Sequence, residues 1–146
     1  MTGWIGISLG DPTGIGPEVT LKALAAELPS DHTRYLLLGD EDQLRALNSR
    51  LSLNLPLRPI ADARGRGLGE RLFIANPLPR SLPHELPPGD PIAANAALAW
   101  LRDGAERCLR GELDALVTAP VNKKAIIRAG HAFVGQTEFL SQLAGT

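Results

Sequence analysis

Short apolar runs alternate with amphipathic stretches along this chain. The clearest runs predict buried strands at Trp4 to Leu9, Arg34 to Leu38 and Asp114 to Thr118, because each is compact and partly β-branched and ends at a turn signal. Weaker strands are predicted at Leu55 to Ile60 and at Leu72 to Ala75. These runs together indicate a sheet whose strands are separated in sequence by other elements.

The stretches between the runs have the spacing of helices. The predicted helices are Glu18 to Leu28, Glu41 to Asn48, Ile92 to Arg110, Lys123 to Ala129 and Thr137 to Ala144. Residues 76–91 contain six prolines and predict an extended connection over the surface. Strand and helix alternation with short turns predicts an α/β fold, with a mainly parallel sheet flanked by helices.

Composition narrows the class of protein. The 146 residues amount to about one ordinary domain. Fifteen Lys and Arg against sixteen Asp and Glu give a formal charge of -1, without the basic excess that nucleic-acid binding usually requires. No apolar run is long enough for a membrane span, and the N-terminus lacks the pattern of a signal peptide. A single cysteine, Cys108, excludes an internal disulfide, so we expect a reducing, cytoplasmic setting.

The sequence GDPTGIGPE, residues 10–18, lies between the first predicted strand and the first predicted helix. Glycines in such a turn let backbone N–H groups approach a ligand, and a helix N-terminus favours an anion. Asp11, Gly14 and Gly16 are therefore weak candidates for cofactor binding. The spacing matches neither the dinucleotide fingerprint nor the P-loop, and a tight turn that needs glycine explains it about equally well.

The sequence TAPVNKKA, residues 118–125, follows the predicted strand at Asp114 to Thr118. Ligands of open α/β sheets bind outside the carboxyl ends of strands, so Asn122 and Lys123 are candidates for holding a phosphate or a carboxylate. A solvated helix start is the alternative explanation, and it accounts well for Lys124.

The sequence GQTEFL, residues 135–140, places Gln136 and Thr137 at the start of the last predicted helix. A helix cap made by Thr137, with Glu138 in the first turn, would explain this motif without any function. The three histidines fall in separate loops without a carboxylate at ligand spacing, so no metal ligand is assigned.

In this order the three motifs GDPTGIGPE, ELDALVTAPVNKKAI and AGHAFVGQTEFL closely resemble the 4-hydroxythreonine-4-phosphate dehydrogenase family of vitamin B6 biosynthesis. The resemblance implies an isocitrate-dehydrogenase-like α/β fold and, in full-length members, a homodimer with its active site in a cleft between domains. It implies oxidation of 4-phosphooxy-L-threonine by NAD or NADP, then decarboxylation to 3-amino-2-oxopropyl phosphate. A divalent metal (zinc, magnesium or cobalt) would stabilise charge on the substrate hydroxyl oxygen.

Two substrate-contacting positions of the family carry over to Gln136 and Thr137, where the family has a His-Thr pair. Thr137 keeps its hydroxyl, but an amide at Gln136 can neither carry charge nor shuttle a proton. Losing a charge-assisted contact costs about 1–3 kcal/mol of substrate binding.

The resemblance also implies that residues 1–146 are the N-terminal part of such an enzyme, with the metal site and most of the nucleotide site lying beyond them. Three hypotheses follow: a part of the dehydrogenase that is incomplete alone, a related dehydrogenase of threonate or erythronate 4-phosphate, and a non-catalytic truncated remnant. All depend on a phosphate-sized anion binding where Asn122, Lys123 and Thr137 converge.

Overall fold

The computed structural model describes residues 3–60 and 70–146 of the chain. Its strands are β1 (Trp4–Ser8), β2 (Arg34–Leu38), β3 (Arg58–Pro59), β4 (Leu72–Ala75) and β5 (Ala115–Thr118). Its α-helices are α1 (Gly16–Glu27), α2 (Glu41–Arg50), α3 (Pro91–Leu109), α4 (Lys123–Arg128) and α5 (Gln136–Ala144), with a 3₁₀ turn at Leu28–Ser30. The predicted α/β class is confirmed.

The five strands form one sheet in the order β3-β4-β2-β1-β5, and every pairing is parallel. From β1 the chain moves outward through β2 towards β4, and it then returns past β1 to add β5 on the opposite side. The strand order therefore reverses between β1 and β5, which is the kind of position where α/β sheets bind ligands.

Helices cover both faces of the sheet. Parallel crossovers are right-handed, so α1 and α2 lie on one face while α3, which crosses in the opposite direction, lies on the other. Gly104 of α3 leaves room for the side chains of Leu38 and Leu116, which a Cβ at this position would approach to 2.6 and 2.7 Å. Trp100, also on α3, is fully buried in the main core.

Strand β5 differs from its prediction as a buried strand. Ala115 and Val117 are exposed, and Leu116 and Thr118 are only half-buried. The cause is position: β5 is an end strand of this sheet, paired with β1 only within the described residues. An apolar run alone cannot distinguish a strand covered on both faces from one at an edge.

A weak strand was predicted at Leu55 to Ile60, but in the structure the strand contains only Arg58–Pro59. Pro56 and Pro59 have no backbone N–H to give to a ladder, which confines this segment to the edge of the sheet. The other predicted strands and helices are confirmed to within two residues at their ends.

The proline-rich connection, residues 76–90, contains no helix or strand, as predicted, and polar contacts hold it against the sheet. Asn76 Oδ1 accepts from the indole N–H of Trp100 at 3.0 Å. Asp40, which is only 2% exposed, accepts from the backbone N–H of Leu82 at 2.9 Å and caps α2 through the N–H of Gln43. One buried carboxylate thus fixes both a helix start and the path of the connection.

None of the helices within the described ranges combines the length and the apolar character needed to cross a bilayer.

Replacing Asp40 by alanine should lower the free energy of unfolding by about 2–4 kcal/mol. The variant loses a helix cap and leaves the half-buried N–H of Leu82 without its acceptor. Asp90→Ala is the matched control, because Asp90 caps α3 by an exposed bond to Ile92 N, and its loss should cost about 1 kcal/mol. Urea unfolding measures both, and equal losses would show that Asp40 acts only as a cap.

Candidate functional site at the carboxyl ends of β1 and β5

The three sequence motifs meet at one edge of the sheet. The first follows β1, the second follows β5, and the third begins α5, whose first residue reaches back to the end of β5. Strands β1 and β5 are neighbours, so their carboxyl ends open into the same region beside the reversal of strand order.

Gly10 allows the loop after β1 to touch the chain after β5. It has φ +71°, and a Cβ there would lie 2.2 Å from the carbonyl oxygen of Pro120, which no side chain can tolerate. The next residue, Asp11, donates its backbone N–H to that same oxygen at 2.9 Å. Sequence reasoning missed Gly10 as a site residue, although its place before Asp-Pro was a usable signal.

The weak cofactor candidates in this loop also have structural explanations. The Asp11 carboxylate accepts from the N–H of Thr13 at 2.9 Å and from its hydroxyl at 2.8 Å, closing a local turn. A Cβ at Gly16 would lie 2.3 Å from the Leu9 carbonyl oxygen, so a glycine is needed where α1 packs on β1. Gly14 is exposed. A cofactor role for Asp11, Gly14 and Gly16 stays a prediction.

Asn122 and Lys123 lie at the start of α4, just beyond β5. Asn122 Oδ1 accepts from Ala125 N at 3.0 Å and caps the helix, which leaves the amide NH₂ without a partner among the described residues. Lys123 is the first residue of α4, and its side chain is exposed. Asn122 therefore has a structural task, but it keeps two donors that a ligand could use.

Thr137 does not cap α5, so the alternative explanation of this motif does not apply. Helix α5 begins at Gln136, Gly135 takes the N-cap position in extended conformation, and no side chain caps the helix. The Thr137 hydroxyl is consequently not engaged as a cap, and Thr137 is exposed. The correction removes the structural explanation that competed with a binding role for this hydroxyl.

Gln136 is half-buried against the end of β5. Its Nε2 lies 3.4 Å from the carbonyl oxygen of Ala119, one residue before Pro120, at the long limit of a hydrogen bond. Its Oε1 is buried without a hydrogen-bond partner in the part of the chain that the structure describes. A buried amide oxygen without a donor is costly, so this side chain is held weakly in its present position.

Among the helices in the described part of the chain, α1 and α5 have no side-chain cap, and both begin at this edge. Helices α2, α3 and α4 are capped by Asp40, Asp90 and Asn122. Free N–H groups at a helix start favour an anion. The preference is opposed in both helices. In α1, Pro17 has no N–H and Glu18 lies in the first turn; in α5, the carboxylate of Glu138 folds back towards Gly135.

The structure thus brings Asn122 and Gln136 to the same strand end and places Lys123 and Thr137 on the first turns of two helices there. No hydrogen bond or ion pair joins Lys123 to Thr137 within the described residues. Convergence of Asn122, Lys123 and Thr137 on one anion therefore stays a prediction.

A cleft of about 440 Å³, which sequence reasoning missed, is lined by the loop after β1. It runs between the starts of α1 and α2 and the connection near His84. Acidic and basic side chains share its lining, which includes Glu18, Asp42 and Arg50. The pKa of Glu18 is lowered mainly by its hydrogen bond from Lys22, so the Glu18 carboxylate is charged near neutral pH. Because of these carboxylates, the cleft suits a phosphate less well than the edge at β5.

Among residues 3–60 and 70–146, no group of three or more His, Cys, Asp and Glu side chains could hold a metal ion. His32 and His84 are exposed, and Nε2 of the His131 ring lies 2.7 Å from Asn95 Oδ1.

Comparison with known proteins identifies relatives of this chain. The profile of the family described as pyridoxal phosphate biosynthetic protein PdxA matches residues 31–146. A 4-hydroxythreonine-4-phosphate dehydrogenase of Stenotrophomonas maltophilia is 38% identical over 136 residues, which are 93% of this chain and 40% of the relative. A D-threonate 4-phosphate dehydrogenase of Cupriavidus necator is 34% identical over 145 residues, 97% of this chain and 43% of the relative.

Among solved structures, a 4-hydroxythreonine-4-phosphate dehydrogenase from Burkholderia phymatum superposes with a TM-score of 0.83 at 34% identity. The match covers all of this chain and 44% of that one. The chain therefore spans about two fifths of the length of the relatives it matches.

Proposed function

The chain belongs to the family described as pyridoxal phosphate biosynthetic protein PdxA, and from that membership we propose that it forms part of the substrate site of a dehydrogenase. The proposed substrate is 4-phosphooxy-L-threonine, and the proposed oxidant is NAD or NADP. The rest of the site would correspond to the part of the relatives that this chain does not match, and the complete form would be a homodimer.

In the proposed reaction, the C3 hydroxyl of the substrate loses its proton while a hydride passes from C3 to the nicotinamide ring. The β-keto acid that results then breaks its C1–C2 bond and releases carbon dioxide, and C2 takes up a proton. The product is 3-amino-2-oxopropyl phosphate. Both substrate and product carry a phosphate, so an anion-binding corner is needed throughout.

The observation that carries the proposal is the composition of the edge at β5. Helices α1 and α5 start there without side-chain caps, and Lys123 adds an exposed ammonium at the first turn of α4. Free N–H groups and a point positive charge are what phosphate oxygens accept from. The Asn122 NH₂ and the Thr137 hydroxyl would add neutral donors that fix the orientation of the bound group.

Gln136 would contact the substrate as a neutral group. Its Nε2 can donate and its Oε1 can accept, but it cannot supply the positive charge of a protonated histidine. We expect the weaker contact to reduce affinity for an anionic substrate by about 1–3 kcal/mol rather than to abolish binding.

The described residues do not offer the ligand set of a divalent metal. The metal that the family resemblance implies would need ligands from outside these residues, and no step is assigned to it here. Asp11, Gly14 and Gly16 remain the candidates of this chain for contacts to the dinucleotide.

Titration of the purified chain with inorganic phosphate tests the anion site. Replacing Lys123 by glutamine should raise the Kd for phosphate about three- to tenfold, because one charge-assisted contact contributes about 1 kcal/mol at such a position. Lys124→Gln is the matched control: it removes the same charge one residue further on, where the side chain leaves the helix about 100° away, and should change Kd less than about twofold. Isothermal calorimetry at low salt gives both constants.

Equal increases in Kd for the two substitutions would show that phosphate binding depends only on the overall charge of the chain. No measurable binding by the folded chain would reject the anion site.

A second candidate function is oxidation of a phosphorylated hydroxy acid such as threonate or erythronate 4-phosphate. Two observations favour it: Gln136 replaces the histidine that the family resemblance implies, and one relative is a D-threonate 4-phosphate dehydrogenase. The third hypothesis, a non-catalytic role, is one possible outcome of the chimera experiment described next.

A chimera separates these candidates, with residues 1–146 replacing the matching part of the Stenotrophomonas maltophilia relative. If Gln136 only weakens the first substrate, Gln136→His should raise kcat/KM for 4-phosphooxy-L-threonine about tenfold. A chimera that prefers D-threonate 4-phosphate, and loses that preference in the Gln136→His form, would support the second candidate. A folded chimera that turns over neither substrate would favour the non-catalytic role.

A further inference from the structure

Hydrogen bonds link the segments that follow four of the strands, along the carboxyl edge of the sheet. After β5, the carbonyl oxygen of Pro120 accepts from the N–H of Asp11, which lies in the loop after β1. After β2, the carboxylate of Asp40 accepts from the N–H of Leu82, which lies in the connection after β4. The side chain of Gln43, in the first turn of α2, joins these two halves of the edge.

Gln43 is fixed through both its backbone and its side chain. Its backbone N–H donates to Oδ2 of the buried Asp40 at 2.9 Å. Its side-chain Nε2 donates to the carbonyl oxygen of Pro12 at 2.7 Å, which is at the short end of the range for N–H···O bonds. The amide is therefore held at a capped helix start and reaches a loop that lies 31 residues away in sequence.

The loop after β1 has little other support on the side that Gln43 contacts. Pro12, Thr13 and Gly14 line the cleft of about 440 Å³ there, so this side of the loop faces open space rather than packed side chains. Within the described residues, no other hydrogen bond joins α2 to residues 10–14. Without the Gln43 bond, the position of the loop would depend on the bond from Asp11 to Pro120.

We propose that Gln43 is a positioning residue of the dehydrogenase, which holds the loop after β1 where Asp11, Gly14 and Gly16 would contact the dinucleotide. The proposal rests on the proposed function, because it needs a dinucleotide that binds along this loop. Gln43 acts through the Pro12 carbonyl and does not itself touch a ligand. The position of the loop matters because a displacement of about 1 Å in groups that orient a ligand can lower a rate on the order of a hundredfold.

The alternative is that Gln43 only stabilises the fold, and Asn48 on the same helix separates the two roles. Asn48 Nδ2 donates to the carbonyl oxygen of Leu55 at 3.0 Å, and Asn48 Oδ1 accepts from the N–H of Leu55 at 3.0 Å. Asn48→Leu therefore removes side-chain amide bonds from α2 at a place away from the loop. It is the matched control for Gln43→Met, which keeps the length of the side chain and removes its donor.

The first measurement follows hydrogen exchange in the full chain without ligand. In Gln43→Met, the amide of Asp11 should exchange with solvent at least about tenfold faster than in the unchanged chain, because its bond to Pro120 opens more often. Asn48→Leu should leave this rate within about twofold, and urea unfolding checks that both variants are folded. Equal rates in all three proteins would overturn the proposal, as would equal acceleration by the two variants.

The second measurement uses the chimera with residues 1–146 in place of the matching part of the Stenotrophomonas maltophilia relative. Gln43→Met should raise KM for the dinucleotide about three- to tenfold. It should leave KM for the phosphorylated substrate within about twofold, because Asn122, Lys123 and Thr137 lie at the starts of α4 and α5. Asn48→Leu should leave both constants within about twofold. An unchanged KM for the dinucleotide, or an equal rise in both constants, would contradict the positioning role.

The positioning role and the proposed function fail separately. A folded chimera that turns over no substrate would reject the proposed function and the place of the dinucleotide on the loop, whereas the exchange rates of the chain alone would still decide whether Gln43 holds the loop. An active chimera whose constants do not respond to Gln43→Met would reject the positioning role alone.

Discussion

The contact between the loop after β1 and the chain after β5 organises the candidate site. The carbonyl oxygen of Pro120 accepts from the Asp11 N–H, and Gly10 passes so close to it that no side chain fits. This contact joins two strand ends that lie more than a hundred residues apart in sequence and are neighbours in the sheet. The start of α1 and the start of α4 take their positions from it, since each follows one of the two segments within a few residues.

The candidate site and the exposed end strand of the sheet lie at the same place. Reversal of strand order opens the carboxyl ends of β1 and β5, and α1 and α5 present N–H groups there without side-chain caps. Strand β5 leads into the candidate site and is also an end strand of the sheet.

Sequence patterns predicted most of the fold, because buried apolar runs and helix starts are local signals. Strands β2 and β4 end where their apolar runs end, and Asp40 and Asp90 mark helix starts through their own side chains. The exposure of β5 could not be predicted, since the apolar run is the same whether or not another strand covers it. The strand around Pro56 and Pro59 was predicted too long. The prediction followed the apolar residues and did not account for the two backbone N–H groups that the prolines lack.

The site was predicted in part. The strand-end rule placed Asn122 correctly beyond β5, but it could not show that the Asn122 amide oxygen is used as a cap. A cap by Thr137 was the alternative explanation suggested by residue type, whereas the helix begins one residue earlier, at Gln136. The pattern Gly-Asp-Pro could have marked Gly10 as a turn residue, but no local pattern predicts its contact with Pro120, which is distant in sequence.

The most direct test of the central contact compares Gly10→Ala with Gly111→Ala. Both glycines have positive φ, 71° and 80°, but a Cβ at Gly111 meets nothing within 4 Å. Alanine at Gly111 should cost about 1 kcal/mol of unfolding free energy for its backbone conformation alone, and alanine at Gly10 at least about 2 kcal/mol more because the two strand exits must separate. Equal losses in urea unfolding would contradict the account, since they would show that Gly10 and Pro120 are not in contact.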